Sequence, residues 1–137
     1  MENKRLISVK TKQLIDGQEE TIELISEGIY YKDNDSYVAE YDESEISGME
    51  GTRTTLIIGQ DSLNIIRRGT TTSELKFKKG EKHTAFYSTP YGALEITIST
   101  NKVDIQADDR GAKVELDYKM QATGLDPIIN HLELKIR

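Results

Sequence analysis

The chain has 137 residues, 18 of them Lys or Arg against 24 Asp or Glu for a formal net charge of −6, and it contains no Cys and no Trp. That length suits one domain, expected over residues 1–137, with roughly two-thirds of the unfolded surface buried. A net acidic chain of mixed sign lacks the basic face that nucleic acid or an anionic membrane requires. The absence of Cys removes disulfides, thiolate nucleophiles and thiolate metal sites together.

Met1-Glu2-Asn3-Lys4-Arg5-Leu6 has no apolar run behind its charges. Neither a signal peptide nor a transmembrane helix is expected, and a cytoplasmic location is the default. From Lys4 to Leu14 residues alternate, with Arg5, Ile7, Val9 and Thr11 on one face, which is strand period. Asp16-Gly17 is a hairpin signal, after which Ile22, Leu24, Ser26, Gly28 and Tyr30 share a face. Asp33-Asn34-Asp35-Ser36 turns the chain into a short strand with Tyr37, Ala39 and Tyr41 in phase. The stretch from Asp42 to Gly51 is irregular.

Strand pattern returns from Thr52 to Ile58, turns at Gly59-Gln60-Asp61, and continues through Leu63, Ile65 and Arg67 to Gly69. Ser73, Leu75 and Phe77 alternate with charged residues before Lys79-Gly80-Glu81 turns the chain again. His83 to Thr89 and Ala93 to Ser99 are strands joined by Thr89-Pro90-Tyr91-Gly92, where Pro90 presets its φ and Gly92 can take a conformation closed to other residues. Thr100-Asn101 reads as a break before Val103, Ile105 and Ala107, and Asp108-Asp109-Arg110-Gly111 as a turn. Ala112, Val114, Leu116, Tyr118 and Met120 give the cleanest alternation, and a last strand runs from Ile128 to Ile136 after Gly124 and Pro127. About ten or eleven short strands with frequent turns and no helical period predict an all-β fold. Closing the meander hides its edges, so the expected architecture is a single antiparallel up-and-down β-barrel.

The inner face of that barrel carries unusual residues. Tyr30, Tyr37, Tyr41, Tyr87 and Tyr118 fall in phase with the apolar positions of their strands, as do Arg67 and Asn130. A guanidinium keeps its charge, so an inward Arg67 needs a carboxylate, a carbonyl, a ligand or an exit to solvent. Phenols, Arg67 and Asn130 inside a barrel of this width suit a cavity for a small anionic or amphipathic metabolite. The plainer alternative is that Arg67, close to Gly69, reaches water at a strand end while the tyrosines are ordinary packing.

Catalytic patterns are sparse. His83 and His131 are the only histidines, and no metal-ligand spacing is present. His83 and Tyr87 share a strand face about 13 Å apart, too far for direct proton transfer. Glu50, in the irregular stretch, is a candidate general base, although a solvated loop carboxylate reads the same way. Glu50, His83 and Tyr91 are candidates for the barrel mouth or its loops. No cofactor is implied.

Ser47-Gly48-Met49-Glu50-Gly51-Thr52, Arg67-Arg68-Gly69 and Tyr87-Ser88-Thr89-Pro90-Tyr91-Gly92, in that order, resemble the YwiB-like family of small bacterial proteins of unknown function. The resemblance spans nearly the whole chain and implies a calycin-like, lipocalin-like barrel. It implies no activity. The lipocalin Gly-x-Trp signature is missing, and Asp16-Gly17 joins the first strands directly where fatty-acid-binding proteins insert two helices. Three functions follow: a module binding a small molecule inside the barrel, a structural or interaction protein acting through its outer face as a homodimer or docking partner, with Arg53 and Ile57 on the face to inspect, and a hydrolase or isomerase using Glu50, His83 or Tyr87.

Overall fold

The computed structural model describes residues 4–137, so the first three residues of the expected domain and of the N-terminal reading lie outside it. Ten strands carry the fold: β1 (Lys4–Ile15), β2 (Gln18–Asp33), β3 (Ser36–Asp42), β4 (Thr52–Ile58), β5 (Ser62–Gly69), β6 (Ser73–Lys78), β7 (Lys82–Thr89), β8 (Gly92–Asp108), β9 (Gly111–Ala122) and β10 (Ile128–Ile136). One turn of 3₁₀ helix, Glu45–Ser47, interrupts the link between β3 and β4. Among the described residues no helix is long and apolar enough to cross a membrane.

All ten strands form one antiparallel sheet in the order β6-β5-β4-β3-β2-β1-β10-β9-β8-β7. The sheet is an up-and-down barrel whose first and last strands in that order, β6 and β7, come together at a seam. A single bridge, in which Thr72 and Ser88 exchange backbone hydrogen bonds of 2.8 and 2.9 Å, ties the seam. Every other junction is a continuous ladder, so the barrel is nearly closed.

Local chemistry sets the register. The two-residue turn Asp16-Gly17 takes φ of 50° and 77°, the left-handed geometry that matches the twist of the flanking strands, and pairs Ile15 with Gln18. At the β7–β8 hairpin the Thr89 hydroxyl accepts the Tyr91 N–H at 3.1 Å and donates to the Gly92 carbonyl at 3.1 Å, fixing Thr89 opposite Gly92. Alternation then sends Leu56 and Ile58 of β4, Leu63 and Ile65 of β5, and Leu75 and Phe77 of β6 into the core.

One expected break is absent. Thr100-Asn101 is a bulge inside the unbroken strand β8, where the register with β9 shifts between Thr100 and Lys102. Inward positions change there from Ile96, Ile98 and Thr100 to Val103, Ile105 and Ala107. A one-residue phase slip looks like a turn in sequence, yet the extra residue bends the strand without ending it.

Candidate functional site

In a meander, alternate connections gather at one end. The β1–β2, β3–β4, β5–β6, β7–β8 and β9–β10 links meet at the end where an interior cavity of about 540 Å³ opens. All ten strands contribute to its wall, which is mainly apolar and includes Leu24, Leu56, Leu63, Leu75, Ile96 and Leu132. At the mouth Ile22, Ile46, Leu94 and Leu125 are all well exposed. Most of the wall has no polar demand to satisfy.

The polar exception is a row running across the sheet. Tyr41 of β3 pairs with Thr54 of β4, Thr54 with Arg67 of β5, and Arg67 with Ser73 of β6. All four face inward because each occupies the core phase of its strand. Glu43 continues the phase of Tyr37, Ala39 and Tyr41 one step past β3, held by its N–H on the Thr52 carbonyl at 2.8 Å. Its side chain is 2% exposed and accepts the Thr54 hydroxyl at 2.5 Å.

Arg67 stands beside this carboxylate without a hydrogen bond to it. Its Nε lies 3.9 Å from Glu43 Oε2, an ion-pair distance, and is buried with no hydrogen-bond partner among the described residues. The Ser73 hydroxyl, on the next strand, is also buried and unpartnered. Burial and the Glu43 charge push the Tyr41 phenol upward, opposed by Arg67. Burial raises Tyr118 to about 12, again with Arg67 opposing, while its ring packs at 59° on Phe77 with centroids 4.7 Å apart. The Tyr87 hydroxyl points to Met49 Sδ at 3.5 Å, linking the barrel wall to the β3–β4 loop.

The sequence candidates therefore divide. Arg67, Tyr41, Tyr87 and Tyr118 line the cavity. Tyr30 and Tyr37 belong to the opposite end, where their rings stack at 5.3 Å and the Arg5 guanidinium lies over the Tyr30 ring. Tyr30 donates to the Asp108 and Gly111 carbonyls, bonds of 2.8 and 3.2 Å, and burial raises it to about 12. Tyr37 donates to Asp109 Oδ1 at 2.8 Å. Both phenols close the β8–β9 turn onto β2 and β3.

Asn130 is buried but committed: it accepts from Gln13 Nε2 at 3.0 Å and donates to the Ile128 carbonyl at 3.2 Å. It borders a second, mixed-charge concavity across β8, β9, β10 and β1, together with His131. Glu50 is exposed, its carbonyl accepting the Thr70 hydroxyl at 2.7 Å, and Tyr91 is 99% exposed at the β7–β8 turn. His83 faces inward near the start of β7, opposite Ile98 and away from the mouth. Glu50, His83 and Tyr87 do not converge on one cavity position. Arg53, on the outer face, pairs with Glu40 at 3.3 Å and Asp42 at 3.0 Å. No group of three or more His, Asp or Glu among the described residues could hold a metal ion.

Glu43 is the site residue that the sequence reading passed over. Its signal was the Tyr37, Ala39, Tyr41 alternation, which reaches Glu43 if extended past Asp42 into the irregular stretch.

The family model for a domain of unknown function, DUF1934, matches residues 7–134, a span that contains every residue of this cavity wall. The chain belongs to the DUF1934 family. A DUF1934 chain is also similar to a Bacillus subtilis (strain 168) relative described as the uncharacterized beta-barrel protein YwiB, 26% identical over 123 residues that cover 88% of this chain and 84% of the relative. The crystal structure of the Bacillus subtilis ywiB protein superposes with a TM-score of 0.88 at 21% identity, covering 98% of this chain and 91% of the other. The resemblance carried by the three sequence motifs holds, and the ten-stranded barrel is a fold this chain shares with the ywiB protein.

Proposed function

We propose that this protein is a calycin-like binding barrel of the cytoplasm that holds a small amphipathic molecule in its interior, with the acceptor-bearing head of the ligand at Arg67 and its apolar body along Leu56, Leu63, Leu75 and Leu132. The observation that carries this reading is the pairing of a cavity of about 540 Å³, within the usual size of ligand pockets, with a lining Arg67 whose buried Nε has no hydrogen-bond partner among the described residues. A folded chain satisfies its buried polar groups, and an unpartnered one facing a cavity is what a missing partner leaves behind. Tyr118 adds a second free donor, since its hydroxyl has no hydrogen-bond partner among the described residues. The exposed Ile22, Ile46, Leu94 and Leu125 give an apolar approach to the mouth.

Native mass spectrometry of protein purified from its own cells, before and after denaturation, tests the reading. An excess mass that disappears on denaturation is expected. A bare sequence mass, combined with no uptake of added decanol, would overturn it.

A further inference from the structure

We propose that the cavity selects a ligand whose head group is uncharged, and that Glu43 is the residue that rejects anions. The inference rests on the binding reading above and specifies its chemistry. Among the described residues three charged side chains line the cavity: Arg67, Glu43 and Asp126. Arg67 is the sole cation among them, and Glu43 meets its charge at 3.9 Å inside the wall. The carboxylate of Glu43 is 2% exposed and accepts the Thr54 hydroxyl at 2.5 Å.

The arrangement separates charge from hydrogen bonding. Glu43 neutralises Arg67 electrostatically and yet takes none of its N–H groups, so the guanidinium offers donors without offering net charge. A neutral carbonyl, amide or hydroxyl oxygen can accept these donors at no Coulombic cost. A ligand carboxylate entering the same position gains the attraction of Arg67 and meets the repulsion of Glu43 at comparable range, while losing its hydration in a mainly apolar chamber. A phosphate brings more negative charge to a wall with one cation. Asp126, at the mouth, repels the same ligands on entry. Specificity thus arises from a built-in repulsive group as well as from the attractive one.

The test is a matched series of decyl compounds that differ in head charge, titrated by calorimetry into the full chain at about pH 8, where decanoate and decylammonium are both ionised. Decanol is expected to bind, with decanoate and decylammonium each weaker by about tenfold or more, because one ion meets Glu43 and the other Arg67. Comparing the two ions cancels their similar loss of hydration. In Glu43→Gln, checked for folding by circular dichroism, the affinity for decanoate relative to decanol should rise about tenfold or more. Decanoate binding far more tightly than decylammonium and at least as tightly as decanol to the unaltered protein would overturn the inference and leave the binding reading intact. An unchanged decanoate-to-decanol ratio in a folded Glu43→Gln would also overturn it. Binding of none of the three would overturn both.

Discussion

Arg67 Nε and Glu43 Oε2 lie 3.9 Å apart inside the barrel, close enough to share charge and too far for a hydrogen bond. Such a pair is a poor stabiliser, because desolvating two charges offsets most of their attraction and the guanidinium donors stay unsatisfied. Glu43→Gln should lower stability by about 1–3 kcal/mol, since it leaves Arg67 buried without a counter-charge. The double substitution Arg67→Met with Glu43→Gln should recover that loss and end at or above the original stability. Urea denaturation measures both, and a double variant weaker than Glu43→Gln alone would show that the pair is structural.

The tyrosines give a second contrast. Tyr30 donates to two backbone carbonyls at the far end, so Tyr30→Phe should cost about 1–2 kcal/mol. Tyr118 has no hydrogen-bond partner among the described residues, so Tyr118→Phe should be neutral within about 0.5 kcal/mol and act on ligand affinity instead. Thermal melts of the two variants distinguish them.

Alkaline stability follows from the same groups. Burial raises Tyr30 and Tyr118 to about 12, and Tyr41 is raised as well. A raised folded pKa means that stability is fully present below the unfolded phenol value near 10 and is lost as pH climbs towards the folded values. Denaturation midpoints measured between about pH 9 and 12 should fall from about pH 10 upward. Tyr30→Phe should shallow the slope.

Much of this was legible because a strand exposes its logic in alternate residues. Ile58, Leu63 and Phe77 could be placed in the core from period alone, and Arg67 beside them, because burial on one face enforces that period. Which inward residues share a level was not legible, since this depends on strand pairing and stagger. Tyr30 and Arg67 share a phase, yet they sit at opposite ends of the barrel. Glu43 escaped notice because it lies beyond β3 in a segment without period, held inward by hydrogen bonds to β4. The Asn101 bulge escaped for the opposite reason: it breaks period without breaking the strand.

On the outer face, His131 lies with Nδ1 2.5 Å from Asp117 and Nε2 3.4 Å from Glu133. The hydrogen bond to Asp117 raises the imidazole above its ordinary value, and the bond to His131 lowers Glu133. The His131 contribution is therefore complete below about pH 6.5 and fades as pH rises through the raised value, and being at the surface it amounts to less than about 1 kcal/mol. His131→Gln should remove this slope from stability measured between about pH 6 and 9. An unchanged slope would assign it elsewhere.

The seam offers a dynamic prediction. Among the described residues only the Thr72–Ser88 bridge ties the β6–β7 seam, whereas β1, β9 and β10 are laddered on both sides. Amide hydrogen exchange should be faster in Ser73–Lys78 and Lys82–Thr89 than in those three strands, because a poorly tied edge opens at lower free energy. Equal protection across the barrel would contradict it.

The most direct test of a binding barrel is to see where an amphipathic molecule goes. Methyl resonances followed by NMR during titration with decanol should shift at Leu56, Leu63, Ile65, Leu75 and Leu132, and Arg67→Met should weaken the affinity without moving the pattern. Shifts confined to outward residues such as Ile25, or no saturable shift at all, would contradict a ligand site inside the barrel.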